Sequence, residues 1–154
     1  MNRSVFVGLM VAVLVFSGSA RDSYAQSVLA DEALASVATA EAIVADAKDA
    51  IKRGKEMVAL IPEDSPLLPE VRQMLKEVSM NWKLAVESIE GANQSAEKIA
   101  AASSEDLAGD YALLARSNSA VAVTGANVVQ IGMAYVEAVA NNQTEALDII
   151  RNSM

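Results

Sequence analysis

Apolar residues fall on a seven-residue beat in three stretches of the chain. In the first, Ala30, Val37, Val44, Ile51 and Val58 recur every seven positions, with Ala33, Ala40, Ala47, Gly54 and Ile61 three positions behind. Residues spaced this way line one side of a helix, so the pattern predicts a helix over roughly 27–60. One seam is mostly β-branched and the other mostly alanine, and small residues at a seam let a neighbouring helix come close. Asp31 and Glu32 lie near the start of this segment, and Lys48, Lys52, Arg53 and Lys55 nearer its end. That polarity suits the helix dipole.

The second stretch is more regular. Leu68, Leu75, Trp82, Ile89 and Ala96 alternate with Val71, Val78, Ala85, Ala92 and Ile99, and all ten positions are apolar. The break before it is the segment IPEDSP at 61–66, and Pro62, Pro66 and Pro69 are the three prolines of the chain. Ser65 caps the next helix with Pro66 at its first position, or Pro69 takes that position. Trp82, the bulky aromatic of the stripe, reads as core rather than as a cofactor contact.

Ser103-Ser104-Glu105-Asp106 marks the next turn, with Ser103 and Asp106 resembling a capping box that uses the shorter acid. The third seam reads Tyr111, Asn118, Gly125, Gly132, Val139 and Ala146, with Leu114, Val121, Val128, Tyr135, Asn142 and Ile149 as companions. Either this helix runs on to Arg151, or Asn142 caps a separate short helix with Glu145 three residues on. Each segment of about 35 residues would be about 50 Å long. Short turns between long helices favour antiparallel neighbours. The expected fold is all-α: an up-down-up antiparallel three-helix bundle with coiled-coil-like heptad packing, completed in the alternative by a short fourth helix or by oligomerisation.

The N-terminus has a different character. A basic start at Arg3 leads into the uncharged, mostly apolar run 4–20, and Ser23 and Ala25 place small residues at −3 and −1 before Gln26. This is the layout of a secretory signal peptide cleaved at Ala25, with Gly18-Ser19-Ala20 as a second cleavage site. The competing reading is an uncleaved anchor, for which the run is at the lower edge of the roughly 17–25 residues that span a bilayer. The expected organisation is a signal peptide at 1–25 and one helical-bundle domain at 26–154, in the periplasm or outside the cell.

Composition mostly excludes. The 154 residues contain no His and no Cys. Imidazole bases, His-ligated haem, thiol nucleophiles, disulfides, Fe–S clusters and the usual zinc and di-iron sites are therefore ruled out. The net charge of −8 becomes −9 once Arg3, Arg21 and Asp22 leave with the signal peptide. Such a chain is a poor partner for nucleic acid or for anionic lipid surfaces.

Candidate chemistry is thin. Glu63-Asp64 and Glu105-Asp106 read as helix-start acids, the seven glycines are scattered, and no phosphate loop or calcium loop is present. Ser95-Ala96-Glu97-Lys98 has the Ser-x-x-Lys spacing without the companion elements of that enzyme class. Asn93-Gln94-Ser95 and Asn142-Gln143-Thr144 match a glycosylation sequon that a bacterial-type export signal makes irrelevant. The run KDAIKRGKE at 48–56 is mixed in sign and reads as a solvated face. No catalytic residue, metal site or cofactor is expected.

The informative stretch is 117–136, which carries no charge. Apolar character around a whole helix implies burial on several sides or an oligomer interface. A second reading is conditional membrane insertion. A third is a small apolar ligand inside the bundle, hydrogen-bonded by Asn118, Thr124, Asn127 and Gln130. On the first reading the interaction seam is Asn118, Val121, Gly125, Val128, Gly132, Tyr135 and Val139. The expected function is an exported, non-enzymatic bundle with a structural or protein–protein interaction role, whose partner is itself or another exported protein. The alternative is a membrane-active or apolar-ligand-binding bundle.

Overall fold

A computed structural model describes the backbone of residues 3–152 and the side chains of residues 24–152. The described chain is a helical bundle of four helices: α1 (Arg3–Val58), α2 (Leu68–Ile99), α3 (Glu105–Ala140) and α4 (Thr144–Arg151). Helix α1 does not begin near residue 27 but runs unbroken through the expected cleavage point. The side chains of the basic start, the apolar run and Gly18-Ser19-Ala20 lie outside the described residues.

Helix α3 is the hub. It packs along both α1 and α2 and also carries α4, while α1 and α2 touch each other far less. Between α1 and α3, Glu32 pairs with Arg116 at 3.5 Å. Further along, Gly54 lies under Met133. Between α1 and α2, Asn93 donates to Glu41 at 2.9 Å.

The interior is built from small side chains. Ala33, Ala40 and Ala47 of α1 and Ala85 and Ala92 of α2 are fully buried, as are Ala108, Ala115, Ala122 and Ala126 of α3. Alanine ridges let helices approach closely. Two glycines of α3 show how closely. A Cβ on Gly125 would lie 2.9 Å from the Asn81 carbonyl oxygen and 3.3 Å from the Ala85 Cβ. One on Gly132 would lie 2.6 Å from a Val78 methyl.

The turns follow local chemistry. After α1, the amides of Leu60 and Ile61 bond back to the carbonyls of Met57 and Val58 at 2.9 and 3.2 Å. Buried Ile61 then closes that end of the core. Of the two proline options, Pro69 sits in the first turn of α2. Ser65 stays upstream, where its hydroxyl accepts from the Leu67 amide at 3.4 Å.

At the start of α3 the capping residue is Ser104, not Ser103. Its extended backbone aims the hydroxyl at the Leu107 amide, 3.2 Å away. The side chain that caps belongs to the last non-helical residue, and α3 begins one residue later than a cap at Ser103 requires.

The third helix stops at Ala140, and the short-fourth-helix alternative is the one realised. Asn142 does not cap α4. It takes φ 54°, the left-handed conformation that asparagine tolerates better than most residues. Its amide bonds to the Val139 carbonyl at 3.2 Å, and the Gln143 amide to the Ala138 carbonyl at 2.9 Å. These paired bonds make a Schellman stop for α3.

Candidate functional site

The seven residues of the expected interaction seam separate into two groups. Gly125 and Gly132 face α2 at close range, and Asn118 lies over Gly91 of α2. Tyr135 and Val139 are buried within the chain. Val121 and Val128 instead point outward, 40% and 38% exposed, and Leu114 one heptad earlier is 51% exposed.

The reason is geometric. Because α3 serves two neighbours, its buried surface is wider than one seam. It includes a second stripe, Ala108, Ala115, Ala122, Val129 and Val136, beside Ala112, Ser119, Ala126 and Met133, all buried. This stripe turns toward α1, as the Met133–Gly54 contact shows. The companion positions Leu114, Val121 and Val128 are thereby displaced to the outer edge. The alanine-rich stripe is hard to see in the sequence, although its seven-residue spacing is present. Alanine is both the commonest helix former and a weak hydrophobic signal.

One heptad beyond Val128, that same edge is covered. Tyr135 is fully buried beneath α4. Arg151 of α4 donates to Glu70 of α2 at 2.8 Å and to the Tyr135 hydroxyl at 3.3 Å, with its guanidinium 5.8 Å from the ring centre. The Tyr135 hydroxyl, above all, holds the Glu70 carboxyl below its ordinary value of 4.5; Arg151 acts in the same direction against partial desolvation. Burial, and then Glu70, pushes the Tyr135 hydroxyl above its ordinary 10.0. The cluster joins three helices and fastens the C-terminus. Nothing in the sequence marks it, because Glu70, Tyr135 and Arg151 lie far apart in the chain.

The groups proposed to hold a ligand inside the bundle do not converge. Thr124 is exposed and donates to the Ala120 carbonyl at 2.9 Å. Asn127 is also exposed, and Gln130 lines a separate groove toward α1 with Asp46, Arg53 and Glu137. Ser95 and Lys98 are engaged elsewhere: the Ser95 hydroxyl donates to the Gly91 carbonyl at 2.8 Å, and the Lys98 ammonium sits 5.8 Å from the Tyr111 ring centre. No cluster of three acidic side chains that could hold a metal occurs among the described residues.

Among the described residues α3 is the one helix long and apolar enough to cross a membrane, and half of its most apolar window is buried against the rest of the bundle. Insertion would have to give up that packing. Comparison with protein-family models, with curated proteins and with solved structures gives no match.

Proposed function

We propose that this is an exported, non-enzymatic helical-bundle protein that works through protein–protein contact, with a second copy of itself as the first partner. The observation that carries the reading is the exposed row Leu114, Val121 and Val128 on the outer edge of α3. Val121 and Val128 lie in the uncharged stretch 117–136. An apolar strip free of charge is where two acidic chains can meet without like-charge repulsion. Of the seven seam residues the interface keeps Val121 and Val128, and Leu114 joins them. It continues the edge that α4 covers at Tyr135, so a partner helix would extend the cover that α4 begins.

The bundle itself is read as up-down-up with coiled-coil-like packing. In support, the pairs 32/116 and 54/133 run α1 and α3 in the same direction, while 91/118, 85/125 and 78/132 run α2 against α3. Export rests on the N-terminal pattern alone. The non-enzymatic reading rests on a chain without His or Cys.

Sedimentation equilibrium of the full chain tests the reading. The wild type should associate, and Val121→Glu/Val128→Glu should shift it toward monomer with unchanged helicity. Equal association of the two proteins would overturn it.

A further inference from the structure

Between α1 and α2 lies a groove of about 570 Å3. That volume falls in the range of small-molecule sites, about 300–1,000 Å3. Its floor is apolar: Ile51 from α1, Leu75, Val78 and Trp82 from α2, and Met133 of α3 beneath. Along the α1 wall stand Lys48, Lys52 and Lys55. Their i, i+4, i+7 spacing stacks three ammonium groups along about 10 Å of helix.

None of these three lysines forms an ion pair among the described residues. The groove also holds Asp49 and Ser79. The Ser79 hydroxyl is already committed to the Leu75 carbonyl at 2.8 Å. Three cations against one carboxylate, in a chain of net charge −8, reverse the sign of the surface locally.

An apolar trough edged by a row of cations suits one ligand chemistry. An alkyl chain would lie on the floor against Leu75 and Trp82, removing apolar surface from water. An anionic head would meet the flexible lysine ammoniums, whose stems add to the apolar wall. A tailless anion would find only exposed lysines, and a cationic amphiphile would be repelled. We infer that the α1–α2 groove binds a single-chain anionic amphiphile, with Lys48, Lys52 and Lys55 holding the head group and Trp82 lying against the chain.

Trp82 is the only tryptophan of the protein, so its emission reports on the groove directly. The full chain is titrated with dodecanoate, dodecanol and dodecyltrimethylammonium, each below its micelle-forming concentration. Dodecanoate should shift Trp82 emission to shorter wavelength and saturate at one per chain. Lys48→Gln/Lys52→Gln/Lys55→Gln should weaken dodecanoate about tenfold and leave dodecanol unchanged. Ser79→Asp, an exposed change on the opposite wall, should weaken dodecanoate and strengthen dodecyltrimethylammonium. Equal binding of all three amphiphiles, no Trp82 response, or a triple lysine variant that binds dodecanoate like the wild type would each overturn the assignment.

Discussion

Replacing Gly125 by alanine sets two opposed effects against each other at one position. In a free helix the change is favourable by about 1 kcal/mol, because glycine loses more backbone freedom. In this bundle the new methyl would sit 2.9 Å from the Asn81 carbonyl oxygen, 3.3 Å from the Ala85 Cβ and 3.5 Å from the Ala85 amide nitrogen. Two of these three obstacles are backbone atoms, which cannot rotate aside, so α2 and α3 must separate. Overpacking of this kind costs about 1–3 kcal/mol, and the rigid obstacle argues for the upper half of that range. The expected net effect is a loss of about 1–2 kcal/mol, with the midpoint falling about 2–4 °C for each kcal/mol. Gly109 supplies the internal control. It lies in the same helix, and a Cβ there would meet nothing within 4 Å. Gly109→Ala should therefore stabilise, by up to about 1 kcal/mol. Urea unfolding followed by far-ultraviolet circular dichroism measures both. If Gly125→Ala stabilised the protein as much as Gly109→Ala does, α2 and α3 would not meet as closely as described.

Three other perturbations have defined outcomes. Ser104→Ala should cost about 1 kcal/mol in urea unfolding, while Ser103→Ala should be close to neutral; the reverse order would move the cap back to Ser103. The α4 clamp should hold only between acid and alkaline limits. Glu70 has a folded pKa below 4.5, so its contribution is complete above that value and lost as pH falls through the folded pKa. Tyr135 has a folded pKa above 10.0, so its contribution is present below that value and lost as pH rises through the raised pKa. The methyl resonances of Leu147, buried on α4, should move toward solvent-exposed positions at both limits while those of Val129 stay, and Glu70→Gln should remove the acid limb. A pH-invariant Leu147 would show that the clamp does not hold α4.

Much of α1 and α2 is legible in the sequence because each serves the bundle through one face. Val37, Val44, Ala33, Ala40 and Ala47 are all buried, and so are Val71, Val78, Ala85, Ala92 and Ile99. On such a helix a two-position seam describes nearly all of the buried surface, with Ala50 of α1 the exception among the described residues. Helix α3 has two neighbours along its length, so the predicted seam recovers only Gly125, Gly132, Tyr135 and Val139 of the fourteen residues it buries. The part that escapes notice is mostly alanine, and Leu114, Val121 and Val128 are pushed outward as a result. The lysine row escapes for another reason. Read along the chain, the run at 48–56 mixes its signs; wound into a helix, it sends Lys48, Lys52 and Lys55 to the α2 side and Arg53 toward the α3 groove, while Asp49 borders both. The Glu70–Tyr135–Arg151 cluster depends on where α4 lies, and Asn142 decides that by stopping α3.

The outer edge of α3, with its exposed Leu114, Val121 and Val128, is the proposed contact surface between two copies. Val121 lies midway along the row from Leu114 to Val128, so in a two-fold pairing through the row it meets its own counterpart. The chain has no cysteine of its own, which makes a single introduced thiol a clean probe. Under mild oxidation Val121→Cys should form a disulfide-linked dimer in high yield, and Asp46→Cys, also exposed but on α1, should remain monomeric. Equal and low yields from the two variants would show that two copies do not meet along this edge.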